Sequence, residues 1–124
     1  MSRSVSLPFD VKSPSLARRH VEQFVADQGL DGATATISII ASELVTNAVI
    51  HGAEPVELTL RSDKGDVTIE VADGDERIDT IRPRIGDQAG GRGLHIVASL
   101  ADRWGIRASH TGKTVWATVR TTHA

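Results

Sequence analysis

The chain has 124 residues, 40% of them hydrophobic and 24% charged, which is the composition of one globular domain. Its formal net charge of −2 and its aromatic content of 3% argue against direct nucleic-acid binding, which favours basic surfaces and stacking aromatic rings. Without cysteine the chain can form neither a disulfide nor a thiolate metal site, and its polar N-terminus lacks the apolar core of a signal peptide. These features predict a single-domain cytoplasmic protein spanning 1–124.

The first half of the chain predicts one strand followed by two helices. Alternating apolar residues over 5–9 are typical of a short strand. A helix with proline in its first turn covers 13–29, and a longer helix covers 33–51. The second helix is apolar enough to suggest a membrane span. Because it carries Glu43 and Asn47, which lipid would tolerate poorly, we expect a core helix instead.

The second half predicts two hairpins separated by a long loop and a third helix. The predicted bounds are strands 56–60 and 67–71, loop 74–92, helix 94–101, and strands 103–108 and 113–120. This order is typical of a two-layer α/β sandwich, in which helices cover one face of a mostly antiparallel, mixed sheet. A loop of this length in a compact domain is usually functional or disordered.

A polar stripe runs along the second predicted helix. Glu43, Asn47 and His51 recur at steps of four, so they share one side of the helix. A carboxylate and an amide between apolar residues are costly to bury unless something pairs with them. The stripe indicates either a binding site or boundary polar residues satisfied by nearby backbone, and His51 also fits the negative end of the helix dipole. The predicted solvent face lies elsewhere, at Ser38, Ser42 and Thr46.

Two further features favour a ligand site. Asp73 closes an apolar strand, where a buried carboxylate can accept a hydrogen bond from an exocyclic amine, although Asp73-Gly74 is also a common turn dipeptide. The glycine-rich run 90–94 opens the third helix, where backbone N–H groups and the helix dipole favour phosphate. The same glycines also suit a hinge or a helix cap.

Taken in order, these motifs resemble the Bergerat-type ATP-binding fold of the GHKL (histidine-kinase-like) ATPase superfamily. They are Glu-x₃-Asn-x₃-His on a helix, an aspartate closing a strand, a Gly-x-Gly helix start, and Gly-Lys-Thr at 112–114. Three segments are most similar in sequence to the anti-sigma-factor serine kinases and to short actinobacterial ATP-binding regulators related to them. These segments are residues 42–48, 91–94 and 100–105. The resemblance extends over about residues 5 to 119.

The resemblance implies ATP and Mg²⁺ as cofactors and a role for each motif. Asn47 would hold the Mg²⁺ that bridges the phosphates, and Glu43 would be the general base for an attacking serine hydroxyl. Asp73 would bind the adenine amine with support from Thr114, and His51 would lie on the nucleotide-binding stripe. The triphosphate would lie under a lid formed by 74–90 and contact Gly91, Arg92, Gly93 and Leu94.

The sequence departs from the family's pattern at the second motif. That motif normally runs Asp-x-Gly-x-Gly, but Asp73 is followed by Gly74, Asp75, Glu76 and Arg77. The glycines expected at 75 and 77 are missing. Adenine recognition by Asp73 remains the expectation, whereas the backbone turn beneath the nucleotide is open to change.

Three functions follow from the motifs. The first is a protein-serine kinase in transcription regulation that sequesters a sigma factor and phosphorylates an antagonist protein. Related kinases often work as dimers, so a homodimer is compatible with this function. The second is a non-catalytic module that binds a sigma factor or antagonist, which the altered Asp73 motif favours. The third, a sensor histidine kinase domain, is disfavoured because the chain leaves no room for a phosphoacceptor helix. Glu43 favours the kinase, since passive binding needs no base.

Overall fold

Five strands and three α-helices make up the part of the chain that the computed structural model describes, residues 1–76 and 92–121. In chain order they are β1 (Ser2–Leu7), α1 (Ser13–Gln28), α2 (Thr34–His51), β2 (Val56–Asp63), β3 (Asp66–Asp73), α3 (Arg92–Leu100), β4 (Arg103–Ser109) and β5 (Gly112–Arg120). A short 3-10 turn, Asp31–Ala33, precedes α2. The strand order is β1-β2-β3-β5-β4. Every described pairing is antiparallel, so the predicted two-layer sandwich is confirmed with an antiparallel sheet in place of a mixed one.

Alternate positions of the central strands form the core beneath the helices. Because successive side chains of a strand point to opposite faces, one face of each strand is apolar and buried. The buried members in β2, β3 and β5 are Leu58, Leu60, Val67, Ile69, Val71, Val115, Ala117 and Val119. The other face is more polar, with a hydrogen bond between the hydroxyls of Thr68 and Thr118 at 3.0 Å. Within the described ranges, the helices therefore cover one side of the sheet.

Helix α1 has the ends that the sequence predicts. Pro14 lies in its first turn, and Gly29 ends it in the left-handed region with φ of 69°. Arg3 of β1 donates a hydrogen bond to Asp27 of α1 at 2.8 Å. That bond, with a smaller contribution from Gln23, lowers the pKa of the Asp27 carboxyl below its usual value. The contact ties the edge strand to the helix layer.

Helix α2 is the central element of the helix layer. It is long and apolar enough in composition to cross a membrane. In the fold it packs between α1 and α3 and against β3, and its residues Ile37, Ile40 and Leu44 are fully buried. These contacts are those of a core helix, as the sequence predicts.

The solvent-exposed side of α2 differs from the prediction. Ser42 and Thr46 are half-buried, and the exposed large side chains of the helix are Ile39 and Ile50. The physical reason is local. The Ser42 hydroxyl donates to the Ile39 carbonyl at 3.0 Å and the Thr46 hydroxyl to the Ser42 carbonyl at 2.7 Å, so neither needs water. Ser38 is also half-buried.

Both predicted hairpins are confirmed, and the first strand is shifted. The turn between β2 and β3 is Lys64-Gly65, with φ of 51° and 88°, the turn type whose twist matches antiparallel strands. Strand β1 pairs with β2 as far as Leu7, and Pro8, which has no N–H to donate, follows it. Phe9 therefore falls outside the strand and is exposed.

Candidate functional site

The sheet contributes two charged residues where β3 ends and β5 begins. Asp73 is the last residue of β3 and pairs in register with Lys113 of β5. Residues paired across antiparallel strands share a face of the sheet. Asp73 follows buried Val71 at two residues' distance, so both charged side chains lie on the helix-covered face.

Asp73 and Lys113 form a buried ion pair. The Lys113 Nζ donates to Asp73 Oδ1 at 3.0 Å, and the two side chains are 1% and 2% exposed. The same Nζ donates to the Asp75 carbonyl at 3.3 Å, and the Asp75 backbone N–H donates to Asp73 Oδ1 at 2.8 Å. Burying either charge alone would cost several kcal/mol, so each residue is the counter-ion that allows the other to be buried.

The structure does not bring Thr114 to Asp73. Thr114 pairs with Ala72 and is half-buried on the face opposite Asp73. A step of one residue along a strand reverses the face, which is why the neighbouring Lys113 makes the contact expected of Thr114. Sequence reasoning missed Lys113. Its signal was a lysine at a position in phase with the apolar residues of β5, which begin at Val115.

The C-terminal end of α2 closes against the Asp73 carboxylate. The Gly74 N–H donates to the Ala53 carbonyl at 2.7 Å. A Cβ atom on Gly52 would lie 2.6 Å from Asp73 Cγ and 2.7 Å from Oδ2. Only glycine allows this approach of the helix end to the strand end. The carboxylate is thus held between the end of α2 and the start of β5.

The polar stripe of α2 leads toward the same end of the sheet. Asn47 is 7% exposed, and its Nδ2 has no hydrogen-bond partner among the described residues. A buried amide left unpaired costs about 1–3 kcal/mol, so it calls for a ligand, an ion or water. Glu43 and His51 are half-buried, one turn before and one turn after it. Of the three stripe residues, the structure buries Asn47 and leaves Glu43 and His51 partly accessible.

Helix α3 ends beside Thr118 of β5, away from Lys113 at the start of that strand. After the helix, the Asp102 N–H donates to the Thr118 carbonyl at 2.9 Å. The helix has nine residues, hence a length of about 13 Å, and it packs against α2. Its first turn, with Gly93 and buried Leu94, lies about one helix length from that contact. Gly91 and residues 77–90 of the predicted lid, 74–90, lie outside the described residues.

Replacing Gly112 by alanine is expected to destabilise the protein by about 1–3 kcal/mol, or more where the backbone must shift. A Cβ there would overlap the carbonyl group of Asp73, and the φ of 152° is unfavourable for other residues. Urea unfolding measures the loss. Gly32→Ala is the matched control, because no atom lies within 4 Å of its new Cβ. Equal unfolding midpoints for Gly112→Ala and the wild type would contradict the close packing of β3 on β5.

Comparisons with known proteins identify a family and a similar fold. A family model described as the histidine kinase-like ATPase domain matches residues 7–119. No curated protein sequence matches the chain significantly. Among solved structures, the crystal structure of the RsbU and RsbW domains of Rv1364c from Mycobacterium tuberculosis is similar, with a TM-score of 0.75 and 21% identity. The likeness, which is one of fold, covers 97% of this chain and 32% of that chain.

Proposed function

This chain belongs to the histidine kinase-like ATPase family, and on that premise we propose that it is an ATP-dependent protein-serine kinase of the anti-sigma-factor type. The resemblance found in the sequence is confirmed at the level of the family, which implies an ATP-binding site. The proposal adds four points to this family assignment: the kinase reaction, the magnesium ion, the partner proteins and the cytoplasmic location.

The observation that carries the proposal is the unpaired amide of Asn47, buried near the end of α2. Two features support it. The buried carboxylate of Asp73 lies beside that helix end, and α3, which the glycine-rich run opens, packs against α2. A carboxylate for the base amine, an amide and a helix N-terminus for phosphates are the groups that a nucleoside triphosphate requires.

Mg²⁺ fits the donor set of the α2 stripe. In nucleotide sites this ion is bound through one or two protein oxygens together with phosphate oxygens, and a side-chain amide supplies one such oxygen. The Asn47 Oδ1 would hold the ion, leaving Nδ2 to donate to a phosphate oxygen. When bound, the ion would neutralise charge on the phosphates.

Glu43 lies one turn before Asn47, as a base for the attacking hydroxyl would require. In the proposed reaction a serine hydroxyl oxygen of the protein substrate bonds to the γ-phosphorus, and the bond to the ADP oxygen breaks. The hydroxyl proton passes to a Glu43 carboxylate oxygen. Glu43 is half-buried, which leaves it accessible to a substrate.

The proposed partners follow from the resemblance to anti-sigma-factor serine kinases. They are a sigma factor, which the protein would sequester, and an antagonist protein that carries the phosphorylated serine. A homodimer is also part of the proposal. Neither nucleic acid nor membrane is proposed as a partner.

One observation favours the second candidate, a non-catalytic binding module. The Asp73 carboxylate is already engaged by Lys113 and by the Asp75 N–H. A base amine must therefore use the oxygen that remains. The glycines expected at 75 and 77 are also absent, and a nucleotide site weakened by their loss would leave the chain to hold its partner without phosphoryl transfer.

Phosphoryl transfer with the purified protein separates the two candidates. We expect label from γ-labelled ATP to appear on serine of a candidate antagonist protein when Mg²⁺ is present, and not when Mg²⁺ is chelated. A protein that binds ATP but labels no candidate substrate would favour the binding module. A protein that does not bind ATP would contradict both the kinase and the nucleotide site.

A further inference from the structure

We propose that Lys113 is a positioning residue of the purine subsite, which aims one oxygen of the Asp73 carboxylate at the base amine. It also ties the altered turn after β3 to the start of β5. The proposal rests on the ATP site proposed above. It assigns a role in the nucleotide site to Lys113, the residue of the Gly-Lys-Thr run at 112–114 to which the sequence analysis gave none.

The two oxygens of the Asp73 carboxylate differ in their partners. Among the described residues, the hydrogen bonds to the Asp73 side chain fall on Oδ1, from Lys113 Nζ at 3.0 Å and from the Asp75 N–H at 2.8 Å. The other oxygen, Oδ2, accepts none of these bonds and lies close to Gly52, where a Cβ atom would come within 2.7 Å of it. Two donors on one oxygen fix the orientation of the group and leave Oδ2 to accept from a ligand.

The turn that follows β3 lacks the glycines expected at 75 and 77, so its backbone needs another means of support. The Lys113 Nζ donates to the Asp75 carbonyl at 3.3 Å. The ammonium group of Lys113, on the neighbouring strand β5, thus holds both the Asp73 carboxylate and the Asp75 carbonyl of the changed motif.

Lys113 places a buried charge on the apolar face of β5. It is 2% exposed and lies in phase with Val115 and the other apolar residues of the strand. An apolar side chain in place of a buried ion pair is often neutral or stabilising, so stability alone does not account for the charge. Because the Lys113 Nζ contacts Asp73 Oδ1 and the Asp75 carbonyl, we place it as a support for the carboxylate and not as a direct contact of the base.

Lys113→Met tests the proposal, because it keeps most of the side-chain volume and removes the ammonium group. The measurement is the ratio of the dissociation constants of ATP and of purine riboside triphosphate, which lacks the 6-amino group. A hydrogen bond to a charged acceptor makes wild-type protein prefer ATP by about 10–100-fold. In Lys113→Met we expect that preference to fall by about tenfold, since the carboxylate is no longer aimed.

Lys12→Met is the matched control, since it removes the same charge from an exposed residue. It should keep the wild-type ratio. Lys113→Gln, which is neutral but can still donate one hydrogen bond to the carboxylate, is the second variant if Lys113→Met does not fold. We expect its ratio to fall by less than tenfold, because part of the positioning is retained.

The outcomes separate the two proposals. If Lys113→Met weakens both triphosphates equally, the lysine supports the fold alone and the positioning role is overturned. The same conclusion follows if both position-113 variants are unfolded even in the cold. Wild-type protein that binds ATP without preferring it over the analogue also overturns the role. Wild-type protein that binds neither triphosphate overturns the proposed ATP site itself.

Discussion

Replacing Glu43 by glutamine is expected to slow phosphoryl transfer by about 10²–10⁴-fold while leaving ATP affinity nearly unchanged. The glutamine keeps the shape of the side chain but cannot take the proton of the attacking hydroxyl. In the proposed site, ATP binding depends instead on Asn47, Asp73 and the start of α3. Single-turnover transfer of label measures the rate, and calorimetry measures the affinity.

Glu22→Gln is the control for this prediction, because it makes the same change at an exposed position on α1. It should transfer phosphate at the wild-type rate. Circular dichroism must show that the Glu43 variant is folded. Transfer at the wild-type rate by folded Glu43→Gln would rule out the general base, and the binding module would then become the better account.

Replacing Asn47 by leucine is expected to change stability and binding in opposite directions. The leucine has the same γ-branched shape and removes a buried amide nitrogen that has no partner among the described residues, so the free protein should be stabilised by about 1–3 kcal/mol. ATP affinity in the presence of Mg²⁺ should fall by at least about 10–100-fold, the loss seen when the surroundings of a metal ligand are changed. Phosphoryl transfer should fall with it.

Thr46→Val is the matched control, since it replaces a neighbouring half-buried polar group that is already bonded to the Ser42 carbonyl. ATP affinity should be unaffected there. Thermal unfolding and calorimetry give the two readouts. An Asn47→Leu protein that is less stable than the wild type and still binds ATP with Mg²⁺ would show that the amide is a structural residue.

The sequence was sufficient for the elements and for part of the site. Strict alternation in β2, β3 and β5 and the Lys64-Gly65 turn are local features, so the hairpins could be predicted without tertiary information. The spacing of Glu43, Asn47 and His51 likewise predicts one helix side. Asp73 could be placed at a strand end because the apolar run stops there.

The partner of Asp73 could not be predicted, because it depends on the register between β3 and β5. Lys113 lies 40 residues away along the chain. A shift of one residue decides whether it or Thr114 faces the carboxylate. The exposed side of α2 also escaped prediction, since a helical wheel does not show which hydroxyls bond back to their own helix.

We propose above that ATP with Mg²⁺ binds at the end of the sheet, against the α2 stripe. Asn47 is the only asparagine in the sequence, so protein labelled with ¹⁵N-asparagine gives a single side-chain amide pair in an NMR spectrum. We expect ATP with Mg²⁺ to change the chemical shifts of this pair of signals. AMP, which lacks the β- and γ-phosphates, should leave them nearly unchanged. A pair that stays unchanged at saturating ATP and Mg²⁺ would contradict the claim.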